Sequence, residues 1–298
     1  MIRILGTVFA GLLGLAFGSF LNVCLSRWPQ GESVVSPRSH CRHCGHTLAW
    51  WENVPLVSWL VLRGRCRSCR AWIGWRYPLV ELAIGTLSAV YAWRYLSGPW
   101  DPDSPAIDYL FGLLYVVGKV VFYWLLLALA VLDVENHWLP DRLTLPGIAL
   151  GFSFRLADIV YFATRPGSDA FELVRYGAFG AVLQRFLGIL AAAALILLIR
   201  WVYWLIRRRE GIGLGDAKLM ALLAAWLGLP GALLAFGFGV VLGALVAVIL
   251  LSVPSARTGT ETWALKKLPL GTFLCIGGIV SSLWGQPIIH AYLRWAGF

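Results

Sequence analysis

The chain has 298 residues, of which 59% are hydrophobic and only 13% charged, with a formal net charge of +10 and a mean hydropathy of +0.74. A soluble domain carries about 25% charged residues, so this composition excludes a disordered chain, a fibrous protein and an ordinary soluble enzyme. The basic excess reads as loop charge on a membrane protein and not as a nucleic-acid surface, because Lys and Arg accumulate in cytoplasmic loops.

A membrane span needs about 20 apolar residues. By that measure the spacing predicts an all-α polytopic protein of about eight transmembrane helices, near residues 4–25, 77–96, 109–132, 143–163, 176–206, 217–227, 230–253 and 268–293. The first stretch is a full span with no small-residue cleavage site before Arg27, so it reads as a retained helix and not a removed signal. The sixth is short, and Gly271, Gly277, Gly278 and Gly285 interrupt the eighth. Three regions follow: a first helix over 1–26, a loop module over 27–76 and a helical bundle over 77–298.

The loop after the first span holds Arg27, Arg38, Arg42, Arg63, Arg65, Arg67, Arg70 and Arg76 against Glu32 and Glu52. That asymmetry places it in the cytoplasm. Threading from there puts the Arg207, Arg208, Arg209 turn and the Arg257, Lys266, Lys267 loop on the same side, and the Asp101, Asp103 turn outside. Only the outer loop with Arg165 and Arg175 is mixed.

Within the basic loop stand Cys41-Arg42-His43-Cys44 and Cys66-Arg67-Ser68-Cys69. Two Cys-x-x-Cys knuckles at this separation offer four thiolates to one ion, the pattern of a structural zinc site. Disulfides are disfavoured in a reducing compartment. His40, His43 and His46 flank the first knuckle, but four cysteines already saturate zinc, and Cys24 and Cys275 read as small apolar residues.

The third span ends at Leu132 and Asp133, followed by His137, Pro140 and Asp141. The sixth opens after Gly211, Gly213, Gly215 and Asp216. Asp133 and Asp216 therefore fall at helix ends on one face. Two adjacent carboxylates share a proton, and such a pair can activate water while protonating a leaving group. Aspartate is also a preferred helix cap, which suits Asp141 and is open to Asp216, and intramembrane carboxylates serve proton relays as well. Gly213 and Gly215 leave backbone beside the carboxylate where an extended substrate strand can pair.

Taken with Gly18-Ser19-Phe20-Leu21-Asn22, Arg27, Trp51-Glu52-Asn53-Val54-Pro55-Leu56 and Arg76-Tyr77-Pro78-Leu79-Val80-Glu81-Leu82, these motifs resemble, in order, those of the type IV prepilin peptidases, bacterial inner-membrane aspartic peptidases. The resemblance implies that Asp133 and Asp216 are catalytic and leaves Asp141 as a cap. It implies removal of the basic leader of prepilins and pseudopilins at the cytoplasmic membrane face. It further implies methylation of the new amino terminus with S-adenosylmethionine. Asn22, Arg27 and Glu81 are candidates for that second half, although each suits a packing or pairing role equally. One departure is visible: where the family commonly has Pro-Phe-Gly-Pro, this chain has Pro269-Leu270-Gly271-Thr272. A transporter is the alternative of another class, motivated by Lys119, Arg155, Asp158 and Arg185 within spans, where Lys119 and Asp158 are expected to pair.

Overall fold

A computed structural model describes residues 2–98, 106–163, 171–209, 211, 213–252 and 268–297. The topology cues at Asp101, Asp103, Arg165, Arg257, Lys266 and Lys267, and the side chain of Arg175, lie outside the described residues. The described chain is helical: α1 (Ile2–Arg27), a short α2 (Val57–Val61), α3 (Arg76–Tyr95), α4 (Ala106–Asn136), α5 (Asp141–Ala163), α6 (Phe171–Arg207), α7 (Leu214–Ser252) and α8 (Leu270–Trp295). Two compact units result, Met1–Ala128 and Leu129–Phe298.

Six of these helices are long and apolar enough to cross a membrane, which makes the protein multi-pass. The expected eight differ for two reasons. α3 has the length but is less apolar than the others. The sixth and seventh expected spans are joined in α7, which is interrupted at Gly228 (φ 75°, ψ 168°) two residues before Pro230. Apolar side chains such as Phe9, Leu12, Leu113, Leu198 and Ile249 are exposed, as expected of helices whose outer faces meet lipid.

In the first unit, α1 packs on α3 through small residues. A Cβ added at Gly14 would lie 2.8 Å from the Ile84 carbonyl oxygen, and one at Gly18 would lie 2.7 Å from Glu81 Cα. Without a hydrophobic drive between helices in lipid, such close approach is what holds them. Gly18→Val is therefore expected to destabilise the first unit by about 1–3 kcal/mol, an overpacking cost. A lowered thermal midpoint in detergent, followed by tryptophan fluorescence, is the check; an unchanged midpoint would show that α1 and α3 separate freely.

In the second unit, the break in α7 is matched by donors. Interrupting a helix frees carbonyls that lipid cannot satisfy. Arg155 Nε of α5 donates to the Trp226 carbonyl at 3.1 Å, and Trp226 Nε1 donates to the Gly147 carbonyl at 2.9 Å. The Trp226 indole fills the space over Gly151. Asp158 takes Arg155 as its partner at 3.1 Å, a local i,i+3 pair. Lys119 lies near the rings of Tyr91, Tyr115 and Phe122, 5.7 to 6.0 Å from their centroids. α7 and α8 meet closely: Ser281 Oγ donates to the Gly231 carbonyl at 2.8 Å, and Gly277 abuts the Ala235 carbonyl.

Candidate active site and metal centre

Asp133 occupies the last turn of α4, which His137 ends in the left-handed region (φ 49°), its N–H donating to the Asp133 carbonyl at 2.9 Å. Asp216 lies in the first turn of α7, where its Oδ2 accepts the Gly213 N–H at 3.1 Å. The helix begins at Leu214, so Asp216 is the third helical residue reaching back to the residue before the helix, half of a capping box. Its negative charge also faces the positive end of the helix. The cap and functional readings of Asp216 therefore coexist in one side chain.

The two aspartates are buried, 7% and 8% exposed, and close enough to act on each other electrostatically. Both also act on the fully buried thiol of Cys275. Leu139, in the connection between α4 and α5, is the spacer: a Cβ at Gly215 or at Gly271 would each lie 3.0 Å from its side chain, and one at Gly271 only 2.9 Å from Asp133 Oδ2. Glycine at 271 thus lets α8 come up against the carboxylate. At Gly213 an added Cβ would lie 3.4 Å from Asp216 Oδ2.

Thr272 is a site residue that sequence reasoning missed. Its backbone N–H donates to Asp133 Oδ2 at 2.7 Å, and its hydroxyl lies within reach of that oxygen, 3.2 Å, and of the Ala130 carbonyl, 3.0 Å. The available signal was the departure from the family pattern at this position, since proline has no N–H to give. Asp141 is also placed differently from the expected cap. The Leu143 and Thr144 amides bond to the Pro140 carbonyl, so Pro140 precedes the helix and Asp141 is its first residue, its carboxylate paired with Lys218.

In the first unit, Cys41, Cys44, Cys66 and Cys69 gather with all four sulfurs within 4.8 Å of one another. Sγ separations of 3.8 Å (Cys41 to Cys69) and 4.0 Å (Cys44 to Cys66) match the roughly 3.8 Å edge of a tetrahedron with zinc–sulfur bonds of about 2.3 Å. The residues fit a metal. Their backbone explains why: the two knuckles repeat one register. Cys41 N–H donates to the His46 carbonyl and Cys66 N–H to Ala71; Gly45 donates to Cys41 and Arg70 to Cys66; Leu48 donates to Ser39 and Ile73 to Gly64. Gly45 and Arg70 hold equivalent left-handed positions, φ 71° and 58°. Backbone amides of His43 and Cys44 reach the Cys41 sulfur, which favours thiolate.

None of the flanking histidines joins the sulfur cluster. His46 Nε2 lies 3.3 Å from Glu52 Oε2, and His40 Nδ1 lies 3.0 Å from the Arg38 carbonyl. Glu52 also accepts the Ala49 N–H at 2.7 Å, which holds its carboxyl below the usual carboxylate range, with His46 adding to the effect against the cost of burial. Arg27 is buried and directs its guanidinium at the Ser33 and Pro37 carbonyls, 2.8 and 2.7 Å. Asn22 Nδ2 donates to the Tyr77 carbonyl at 2.9 Å, and Glu81 Oε2 accepts the Leu56 N–H at 2.8 Å.

Comparison with known proteins identifies relatives along most of the chain. Residues 12–95 match the profile of the bacterial peptidase A24 N-terminal domain, and residues 120–248 that of the type IV leader peptidase family. The chain is 33% identical to a prepilin leader peptidase/N-methyltransferase of Stutzerimonas stutzeri, covering 96% of this chain and 93% of the relative. It is 35% identical to a protein of the same name from Pseudomonas putida, over 97% and 94%, and 36% identical to one from Burkholderia pseudomallei, over 94% and 85%. No solved structure matches.

Proposed function

The chain belongs to the type IV leader peptidase family, and from that membership we propose that it cleaves the basic leader from type IV prepilins and type II secretion pseudopilins, using Asp133 and Asp216, and methylates the amino terminus so exposed. The observation carrying the peptidase half is the pair itself: two buried carboxylates on different helices, within electrostatic range, each with Oδ2 tied to a backbone amide. That leaves Oδ1 of each for chemistry. Two such groups share one proton, so one carboxylate takes a proton from the attacking water while the other protonates the departing amine. Gly213 and Gly215 keep side-chain bulk away from Asp216 and Leu139, so an extended substrate segment can approach the carboxylates there. The Gly213 N–H is engaged by Asp216, and its contact with substrate runs through its carbonyl and its lack of a side chain.

Of the two carboxylates Thr272 bonds to that of Asp133, and its hydroxyl is shared with the Ala130 carbonyl. Thr272→Val keeps the amide and removes the hydroxyl, and is expected to lower kcat about three- to tenfold with KM unchanged, the effect of one hydrogen bond to a charged group. A rise in KM with unaltered kcat would place the hydroxyl against substrate instead.

Cys41, Cys44, Cys66 and Cys69 would hold zinc as a closed structural set, which supplies folding free energy to the loop module of residues 27–76 and no reactive water. S-adenosylmethionine, when bound, supplies the methyl group. The protein is a multi-pass inner-membrane enzyme on this reading, with its loop module and both carboxylates facing the cytoplasm, where a leader that never crosses the membrane remains. Two of the four charges that motivated the transporter alternative have structural partners: Arg155 serves the broken α7 and Asp158 serves Arg155. A reporter fused after Arg63 is expected to behave as cytoplasmic and one fused at Asp103 as periplasmic; the reverse would put leader and carboxylates on opposite sides and end the proposal.

A further inference from the structure

The first unit contains a cleft where α1 and α3 meet the cysteine loop, with a cavity volume of about 130 Å³, lined by Asn22, Arg27, Glu32, Glu52, Trp59 and Glu81 among others. Two buried polar atoms of its lining residues have no hydrogen-bond partner, Asn22 Oδ1 and Glu52 Oε1. Neither follows from a reversible choice of orientation. Asn22 Nδ2 faces the Tyr77 carbonyl and the Glu81 carboxylate, both acceptors, so turning the amide would set oxygen against oxygen. Glu52 commits Oε2 to Ala49 and His46, and its side chain is 1% exposed.

Buried polar atoms are almost always satisfied, and an unmatched carboxylate oxygen is among the costliest exceptions. Here both unmatched atoms are acceptors. The two arginines of the lining are engaged elsewhere, Arg27 with Ser33 and Pro37 and Arg42 3.6 Å from Glu32, and Arg67, which acts on Glu52 only through its charge, lies 5.0 Å over the Trp51 ring. What the cleft lacks is therefore a positively charged group with several N–H donors. We infer that it binds a primary ammonium group used in methylation, with Glu52 Oε1 and Asn22 Oδ1 as the acceptors. This rests on the N-methyltransferase half of the proposed function.

Two reactants carry that group: the amino-acid end of S-adenosylmethionine and the amino terminus released by cleavage. The transfer balances in either case. The terminal ammonium gives one proton to solvent, its nitrogen lone pair forms the bond to the methyl carbon, and the carbon–sulfur bond breaks with its electrons going to sulfur. The products are an N-methylammonium and S-adenosylhomocysteine.

Calorimetric titration of the purified, zinc-loaded full chain separates the two sources. One arm uses S-adenosylhomocysteine; the other uses a short peptide with the free mature amino terminus, beside its N-acetylated form. Glu52→Gln keeps an acceptor for the Ala49 amide and puts an NH2 donor where Oε1 stands. It is expected to bind one of the two ligands at least tenfold more weakly while zinc content and leader cleavage stay at wild-type values. Loss of S-adenosylhomocysteine assigns the cleft to the methyl donor. Loss of the free peptide, with the acetylated peptide not binding even to wild type, assigns it to the acceptor amine. If Glu52→Gln loses zinc, Asn22→Leu is read the same way. Unchanged affinity for both ligands in a folded variant overturns the inference and leaves the methyltransferase reading in place. Failure of the wild type both to bind either ligand and to methylate a cleaved pilin removes that reading itself, and the inference with it.

Discussion

Asp133→Asn and Asp216→Asn are each expected to lower prepilin cleavage by a factor of about a thousand or more, while the protein remains folded and membrane-inserted. Each substitution is nearly isosteric, and each preserves the bonds that position the side chain: an asparagine oxygen at 133 still accepts the Thr272 amide, and one at 216 still accepts the Gly213 amide. What the proposed mechanism would lose is the shared proton, because an amide neither takes a proton from water nor carries one to the leaving amine. Asp141→Asn is the matched control. Asp141 is exposed and bonded to Lys218, an ion pair of the surface kind that contributes about 0–1 kcal/mol, so cleavage should fall less than severalfold. Purified variants assayed on one prepilin, with thermal unfolding to confirm folding, give the comparison. Cleavage by Asp133→Asn at the wild-type rate would remove the carboxylate pair from the mechanism.

Replacing Cys41 and Cys44 by serine should release the zinc proposed for the four thiolates and abolish methylation, with a smaller loss of cleavage. Two remaining thiolates cannot close a tetrahedral site, and a structural zinc ion supplies about 10–16 kcal/mol of apparent binding free energy that becomes folding free energy. Around the sulfurs each knuckle is tied only by short-range backbone bonds and one isolated β-bridge, His40 to Thr47 and Arg65 to Trp72, while the Trp59, Trp72 and Trp75 rings pack together beyond the second knuckle. Glu52 belongs to the same loop, as do Ser39, His40, Arg42 and Trp59 of the lining, so the proposed ammonium cleft loosens with it. The aspartates belong to the second unit, held by helix packing and by bonds among α4, α7 and α8 that include no cysteine ligand. Metal analysis with parallel cleavage and methylation assays tests this. Wild-type methylation by metal-free protein would contradict it.

The features legible in the sequence are those written in local spacing. Cys41, Cys44, Cys66 and Cys69 are such a case, because a two-residue gap within each knuckle already sets both sulfurs on one side of an ion. Asp133 and Asp216 are visible because a carboxylate at the edge of an apolar run is costly and rare. What escaped depends on contacts between segments far apart in the chain. Thr272 is an ordinary residue at a helix start until α8 brings its amide to Asp133. Glu52 reads as one acid in a basic loop, and only the fold turns it into a buried anion with an unmatched oxygen. Arg155 resembles a transport charge along the sequence, whereas its role follows from a backbone break at Gly228 on another helix. The same break accounts for one of the two spans by which the count differs: a glycine two residues before a proline marks an interruption, but apolar composition carries through it.

The most direct test of the central proposal is intact-mass spectrometry of a prepilin co-expressed in a host without a prepilin peptidase of its own, alone, with the wild-type chain and with Asp133→Asn. The expected spectrum with the wild type is a pilin lacking its leader and heavier than the bare mature chain by about 14 Da, the mass of one CH2 group. With Asp133→Asn the full-length prepilin should persist. A wild-type chain, shown to be folded in the membrane, that leaves the prepilin at full length would contradict the assignment, as would leader removal by the Asp133→Asn variant at the wild-type level.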